Sequence, residues 1–183
     1  MESLKASGSR GEAGFSLIDM LFVIALIGLL STLAIPGLMR ARGAAQSASA
    51  LGTLRVINSA QLSFAITCGL GFYSPDMPTL GVTPPGSAEA FVPAELAGGA
   101  TFVKSGYNFS MAGTPVGGAP GTCNGLGPGQ TSSGYAAVAD PLDITPPARY
   151  FGTNADGVIY EDTATYIGTM PETGAPPGGA PIK

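Results

Sequence analysis

The chain has no histidine and no tryptophan, and charged residues make up only 11% of its 183 positions. Lacking His, it lacks the commonest general base and the commonest metal ligand. No G-x-S-x-G elbow, Walker loop or nucleophile–His pair occurs, so no enzymatic activity and no cofactor are expected. The net charge is −4 and the few Lys and Arg form no run. That balance argues against a basic face for nucleic acid. Cysteine is limited to Cys68 and Cys123, which without His is half a metal site at most.

What the chain has is one long apolar run. Fourteen mostly polar residues, MESLKASGSRGEAG, end in Gly14. From Phe15 to Ile35 the sequence is apolar except for Ser16, Asp19, Gly28, Ser31 and Thr32. A run of this length reads as a membrane-spanning helix. A secretory signal would carry its basic residues first and be cut after the apolar stretch. Here the leader's charges cancel, Glu2 and Glu12 against Lys5 and Arg10, and no small-residue cut site follows Ile35. A plain anchor flanked by Arg40 and Arg42 leaves the carboxylate of Asp19 without a purpose. An acid costs roughly 2.5–3.5 kcal/mol at the centre of a membrane helix and less near its end. If the chain is cut after Gly14, Phe15 gains a free α-amine four residues from Asp19, and the two charges can neutralise each other in trans between neighbouring subunits.

Gly14, Phe15, Ser16, Leu17 and Ile18, followed by the apolar helix, resemble the processing motif of type IV pilins and of type II secretion pseudopilins. That family has a short polar leader, a glycine, a cut, a methylated aromatic, Ser/Thr-Leu-Ile/Val-Glu and a long apolar helix. Asp19 departs from the pattern, since Glu is usual there. Pro36 and Gly28 stand where pilins often carry a helix-kinking proline and a glycine. The resemblance covers residues 8–66 well and the second half more weakly. It implies cleavage at Gly14, N-methylation of Phe15 by a prepilin peptidase, and assembly through the N-terminal helix, with Asp19 and Pro36 as assembly residues.

The long helix is expected over residues 15–66, with Pro36, followed by Gly37, removing one backbone hydrogen bond and bending or locally melting it. At 1.5 Å per residue its length is roughly 78 Å, far more than a bilayer requires. Beyond Arg42 the pattern turns amphipathic. Ala50, Leu54, Ile57, Phe64 and Ala65 fall in one arc and Gly52, Arg55, Ser59 and Ser63 opposite, so the apolar arc is expected against a sheet. Gly and Pro together make up about a quarter of the chain and concentrate in 69–130 and 171–181, marking loops and a tail. A short helix is expected around Ser87–Leu96. Strand signals follow at residues 100–103, 105–111, 134–139, 148–152 and 158–162, the last two flanking a hairpin turn at Asp156-Gly157. They suggest a meander of about four strands. The tail from Met170, PETGAPPGGAPIK, has too little apolar content to fold alone.

Cys68 and Cys123, in a segment expected outside the cytoplasm, most simply form a disulfide, with free thiols as the alternative. Closing a loop of about 55 residues would stabilise the fold by roughly 4 kcal/mol in the chain-entropy model. The oxygen-rich segment TNADGVIYED has a faint calcium-loop character through Asp156, Glu161 and Asp162, without the full EF-hand spacing. Major pseudopilins bind calcium in a comparable loop, which keeps these three as a weak candidate; a solvated hairpin turn is the better reading.

The expected fold is α+β: a long N-terminal helix, membrane-spanning in its first half and amphipathic in its second, packed on a small antiparallel sheet, the pilin fold. Residues 1–14 form the leader and 15–183 the subunit, with the helix over 15–66, a β-rich head over 67–169 and an unstructured tail over 170–183. The resemblance implies a structural fibre subunit, made as an inner-membrane precursor and then displayed on the cell surface. Its partners would be identical or related subunits, the prepilin peptidase and the pilus assembly machinery. The alternatives are a pseudopilin in a periplasmic fibre and, in a different class, a membrane-anchored binding domain that never polymerises.

Overall fold

The computed structural model describes residues 16–144 and 148–182. The architecture is α+β: a long N-terminal helix, α1 (Leu17–Thr67), packed in its second half on a six-stranded antiparallel sheet. The chain divides into two compact units, residues 1–43 and 44–183.

In the first unit every described residue is helical from Leu17 onward and exposed. This part is apolar all round, with a mean hydropathy of 2.5 over its most apolar window and no residue of that window buried. An all-apolar helix has no side to turn to water. The helix is unbroken through Pro36, so the local melting expected there does not occur. Pro36 has no N–H to give to the Thr32 carbonyl. Just upstream the Ser31 hydroxyl donates to the Ile27 carbonyl at 2.7 Å and that of Thr32 to the Leu29 carbonyl at 2.7 Å.

In the second unit α1 becomes one-sided. Ala50, Leu54, Ile57, Phe64 and Ala65 are buried, as the arc predicts. Ser47, Thr53 and Gln61 share that stripe, which a purely apolar count misses. The sheet is a meander in chain order: β1 (Thr101–Lys104), β2 (Tyr107–Ala112), β3 (Ala136–Pro141), β4 (Tyr150–Asn154), β5 (Ile159–Asp162) and β6 (Ala180–Pro181). Its register sets Phe102 opposite Phe109, Met111 opposite Ala137 and Ala139 opposite Phe151. With period-two alternation these side chains share one face, and they form the core with Leu54, Ile57 and Phe64 of α1. The small Ala137 and Ala139 leave room between larger neighbours. Phe102 stacks on Phe109 with ring centroids 4.9 Å apart.

Polar pins fix the helix along the sheet. The Asn58 side chain donates to Thr153 Oγ1 at 2.9 Å and to the Gly157 carbonyl at 3.2 Å, and its Oδ1 accepts from the Tyr135 hydroxyl at 2.9 Å. Burial pushes the Tyr135 phenol well above its ordinary range. Gln61 closes a two-way pair with the Ser74 backbone, both bonds at 2.9 Å. A slip of the helix by one residue would break these bonds and strand buried donors.

The end of α1 is sharp. Leu70 and Gly71 take left-handed φ of 51° and 92°, and the Gly71 N–H donates to the Ala65 carbonyl at 2.8 Å. Gly69 is required for close approach, because a Cβ there would lie 2.2 Å from the Phe72 carbonyl oxygen. At this corner Cys68 bonds Cys123, with Cα atoms 4.9 Å apart, tying the helix end to the long β2–β3 loop. Replacing Cys68 by Ser should lower the unfolding free energy of the second unit by about 4 kcal/mol. Urea denaturation of the full chain in detergent reads this as a lower midpoint, and an unchanged midpoint would remove the disulfide from the stability account.

Three expectations need correction. The segment around Ser87–Leu96 is not helical, because Pro93 interrupts it and only turn bonds form, Leu96 N–H to the Pro93 carbonyl and Ala97 N–H to that of Ala94. The short helix is instead α2 (Met77–Leu80), capped by the Asp76 carboxylate, which accepts from the Thr79 N–H at 2.9 Å. The strands number six rather than about four. The tail from Met170 is not unstructured as far as it is described. It is held by polar groups of the head rather than by its own apolar content. Asn154 Nδ2 donates to the carbonyls of Pro171 and Gly174 at 3.1 and 2.6 Å. The Glu172 carboxylate accepts from Thr114 N–H and Oγ1 at 2.7 and 2.6 Å. Beyond them β6 pairs with β5 through Pro181 and Ala180.

Candidate assembly site

Ser16 opens α1: its carbonyl accepts from the Asp19 N–H at 3.0 Å and from the Met20 N–H at 3.4 Å. Asp19 therefore sits in the first turn, where the helix dipole favours a negative charge by about 0.3–1 kcal/mol. The spacing Ser16-x-x-Asp19 is that of a capping box. That spacing is readable in the sequence and agrees with the place of Asp19 in the first turn. Gly14 and Phe15, the expected cleavage and methylation positions, lie outside the described residues.

Around Asp19 the surface is apolar in every direction. Leu17 is 81% exposed, Phe22 64% and Leu33 77%, and the other large apolar residues up to Met39 are exposed as well. Burying a Leu, Ile, Val, Phe or Met side chain is worth roughly 1.5–3 kcal/mol, so this surface leaves on the order of 20 kcal/mol or more unrealised in water. A helix of this length and composition is apolar enough to cross a membrane, and some cover, lipid or protein, is a physical necessity. The one ion pair among the described residues is Arg149 with Glu161, so Asp19 has no counter-charge there.

Compared with family models, curated proteins and solved structures, the chain has no match.

The weak calcium candidates are not brought together. Asp156 accepts from the Gly174 N–H at 2.8 Å and Asp162 from the Thr163 N–H at 2.6 Å. Glu161 is clamped by both the Nε and the Nη2 of Arg149, which holds its carboxyl below the usual range. Each carboxylate is engaged with a partner of its own, and no group of three acidic or thiol ligands forms among the described residues. Arg149 itself lies 5.4 Å from the centre of the Phe151 ring. Sequence reading missed Glu172 and Asn154, the residues that dock the tail: Asn154 ends β4 beside the hairpin turn and donates to the tail, whereas Glu172 lies in the tail and accepts from Thr114 of the β2–β3 loop.

Proposed function

We propose that the chain is the precursor of a structural fibre subunit of the type IV pilus kind. It waits in the inner membrane, is cut after Gly14 and N-methylated at Phe15 by a prepilin peptidase, and polymerises through α1 with identical or related subunits. One observation carries the reading: an apolar helix exposed on every side holds a single carboxylate, Asp19, in its first turn, without a counter-charge among the described residues. Lipid and a bundle of like helices are similar solvents for Phe22, Val23, Leu26 and Leu29. Passage from membrane to fibre core therefore need not cost the transfer energy to water. Asp19 is costly unpaired in that core and tolerable beside a neighbour's Phe15 amine, so it selects one register of helix against helix.

A second reading is favoured by the Ser16–Asp19 turn. If Asp19 serves only its own helix N-terminus, α1 is a membrane anchor and the second unit a binding domain that does not polymerise. Mass spectrometry of the N-terminus of protein isolated from cells separates the two. A chain starting at N-methyl-Phe15 is the expected result. A chain still starting at Met1 overturns the fibre reading and leaves the anchor.

A further inference from the structure

The β2–β3 loop carries a pair of residues, Asn124-Gly125, whose chemistry the fold keeps idle. Glycine has no Cβ to shield its backbone nitrogen, so the Gly125 nitrogen can attack Asn124 Cγ. The N–Cγ bond forms, the Cγ–Nδ2 bond breaks, and ammonia leaves with the proton of the Gly125 N–H. Water then opens the cyclic imide at either carbonyl, leaving aspartate or isoaspartate at 124. The loop opposes the first step. Asn124 Nδ2 donates to the Thr79 carbonyl of α2 at 2.8 Å, and Asn124 Oδ1 accepts from the Thr122 hydroxyl at 2.6 Å. The side-chain amide is thus held at both ends, while the Gly125 N–H is turned to the Thr122 carbonyl at 3.4 Å.

This clamp does not stand by itself. Among the described residues, the stretch 120–126 is hydrogen-bonded to the rest of the second unit only through Asn124 and through the Cys123 N–H, which donates to the Cys68 carbonyl at 3.3 Å. Leu126 packs against the core, and the Cys68–Cys123 bond supplies the one covalent tie. Cys123 and Gly125 are both exposed, so a reductant and water reach the places where each would act. We propose that Asn124 is a modification site: its deamidation is held off while Cys68–Cys123 is closed and is released when that bond is reduced. The inference rests on neither the fibre nor the anchor reading. The change is one-way. A carboxylate at 124 has no N–H for the Thr79 carbonyl and would set negative charge against it, so the original clamp cannot re-form. A chain that has spent time without its disulfide keeps a permanent record of it.

The test holds the full chain in detergent at mildly alkaline pH, once oxidised and once in a thiol reductant. Peptide mass mapping follows the exchange of NH2 for OH at position 124, and a sample in urea gives the rate of an unclamped chain. The reduced chain should deamidate roughly ten to a hundred times faster than the oxidised one, as release of a clamp of a few hydrogen bonds implies, while its near-UV tyrosine dichroism persists. Thr122→Val, with the disulfide intact, removes the hydroxyl that holds Asn124 Oδ1 and should speed deamidation of the oxidised chain about tenfold. Equal rates in the oxidised and reduced chains would overturn the inference. So would a faster rate that comes only with loss of the near-UV signal, because unfolding of the whole second unit, not release of the loop, would then expose the site. An unchanged rate in Thr122→Val would overturn the clamp on which the inference stands.

Discussion

Asp19→Ala is expected to abolish fibre formation while leaving cleavage after Gly14 and membrane insertion intact. The carboxylate is the only formal charge in the helix from Leu17 to Met39. Removing it spares a cost of up to roughly 3 kcal/mol in lipid, so the precursor should insert as well as before or better. The lost interaction with the helix dipole, about 0.3–1 kcal/mol, is too small to unfold a membrane helix. What disappears, on the proposed function, is the charge that would fix one subunit's register against the next. Asp19→Asn separates the two roles, since an amide oxygen can still serve the local helix turn but cannot neutralise an amine. It should fail to assemble like the alanine variant. Asp19→Glu, with its carboxylate about 1 Å farther out, should be tolerated. The yield of sheared fibres, beside the ratio of precursor to mature protein in the membrane, checks each outcome. Wild-type fibres from Asp19→Ala would show that the carboxylate does not set register.

The second large effect belongs to the junction. Gly14→Val should leave essentially all of the protein as an uncut, membrane-held precursor. A peptidase must bring its catalytic groups against the backbone at the scissile bond, and glycine alone offers no Cβ to stand in the way. A β-branched residue is both bulkier and stiffer there. Without the cut Phe15 has no α-amine, so Asp19 has no partner in trans and assembly fails for the same electrostatic reason as in the first experiment. Immunoblots resolve the fourteen-residue difference directly. Normal processing of the variant would dismiss Gly14–Phe15 as the cut site.

Which elements were legible follows from how local their causes are. The apolar run, the amphipathic arc from Ala50 to Ala65, the strand alternation and the Asp156-Gly157 turn are set by residues a few positions apart, and each appears in the structure. The buried Gln61 and Thr53 were not legible. A polar residue on an apolar stripe is tolerable when its hydrogen bonds are met, by the Ser49 carbonyl one turn back for Thr53 and by Ser74 beyond the helix for Gln61, and neither pairing shows in an apolar count. The tail was misread for a related reason. Its sequence has little apolar surface of its own, and its order comes from hydrogen bonds to Asn154, Asp156 and Thr114. Composition also favoured a helix at Ser87–Leu96, where a single proline decides otherwise. At the assembly site Asp19 was visible as an anomaly, and its position in the first turn followed from Ser16 once the helix start was placed.

The Asn58 pins set a timetable for the newborn chain. Asn58 meets Thr153, 95 positions later, and synthesis runs at about 5–20 residues per second. The second half of α1 therefore emerges with its apolar stripe bare and stays so for roughly 5–20 s before β4 exists to receive it. On the proposed membrane stage, its nearest apolar refuge in that interval is the bilayer that would hold the first half. A chaperone or the membrane surface must shelter Leu54, Ile57 and Phe64 until the sheet closes over them, and slowing translation across residues 70–150 should expose the growing chain to proteolysis in that window.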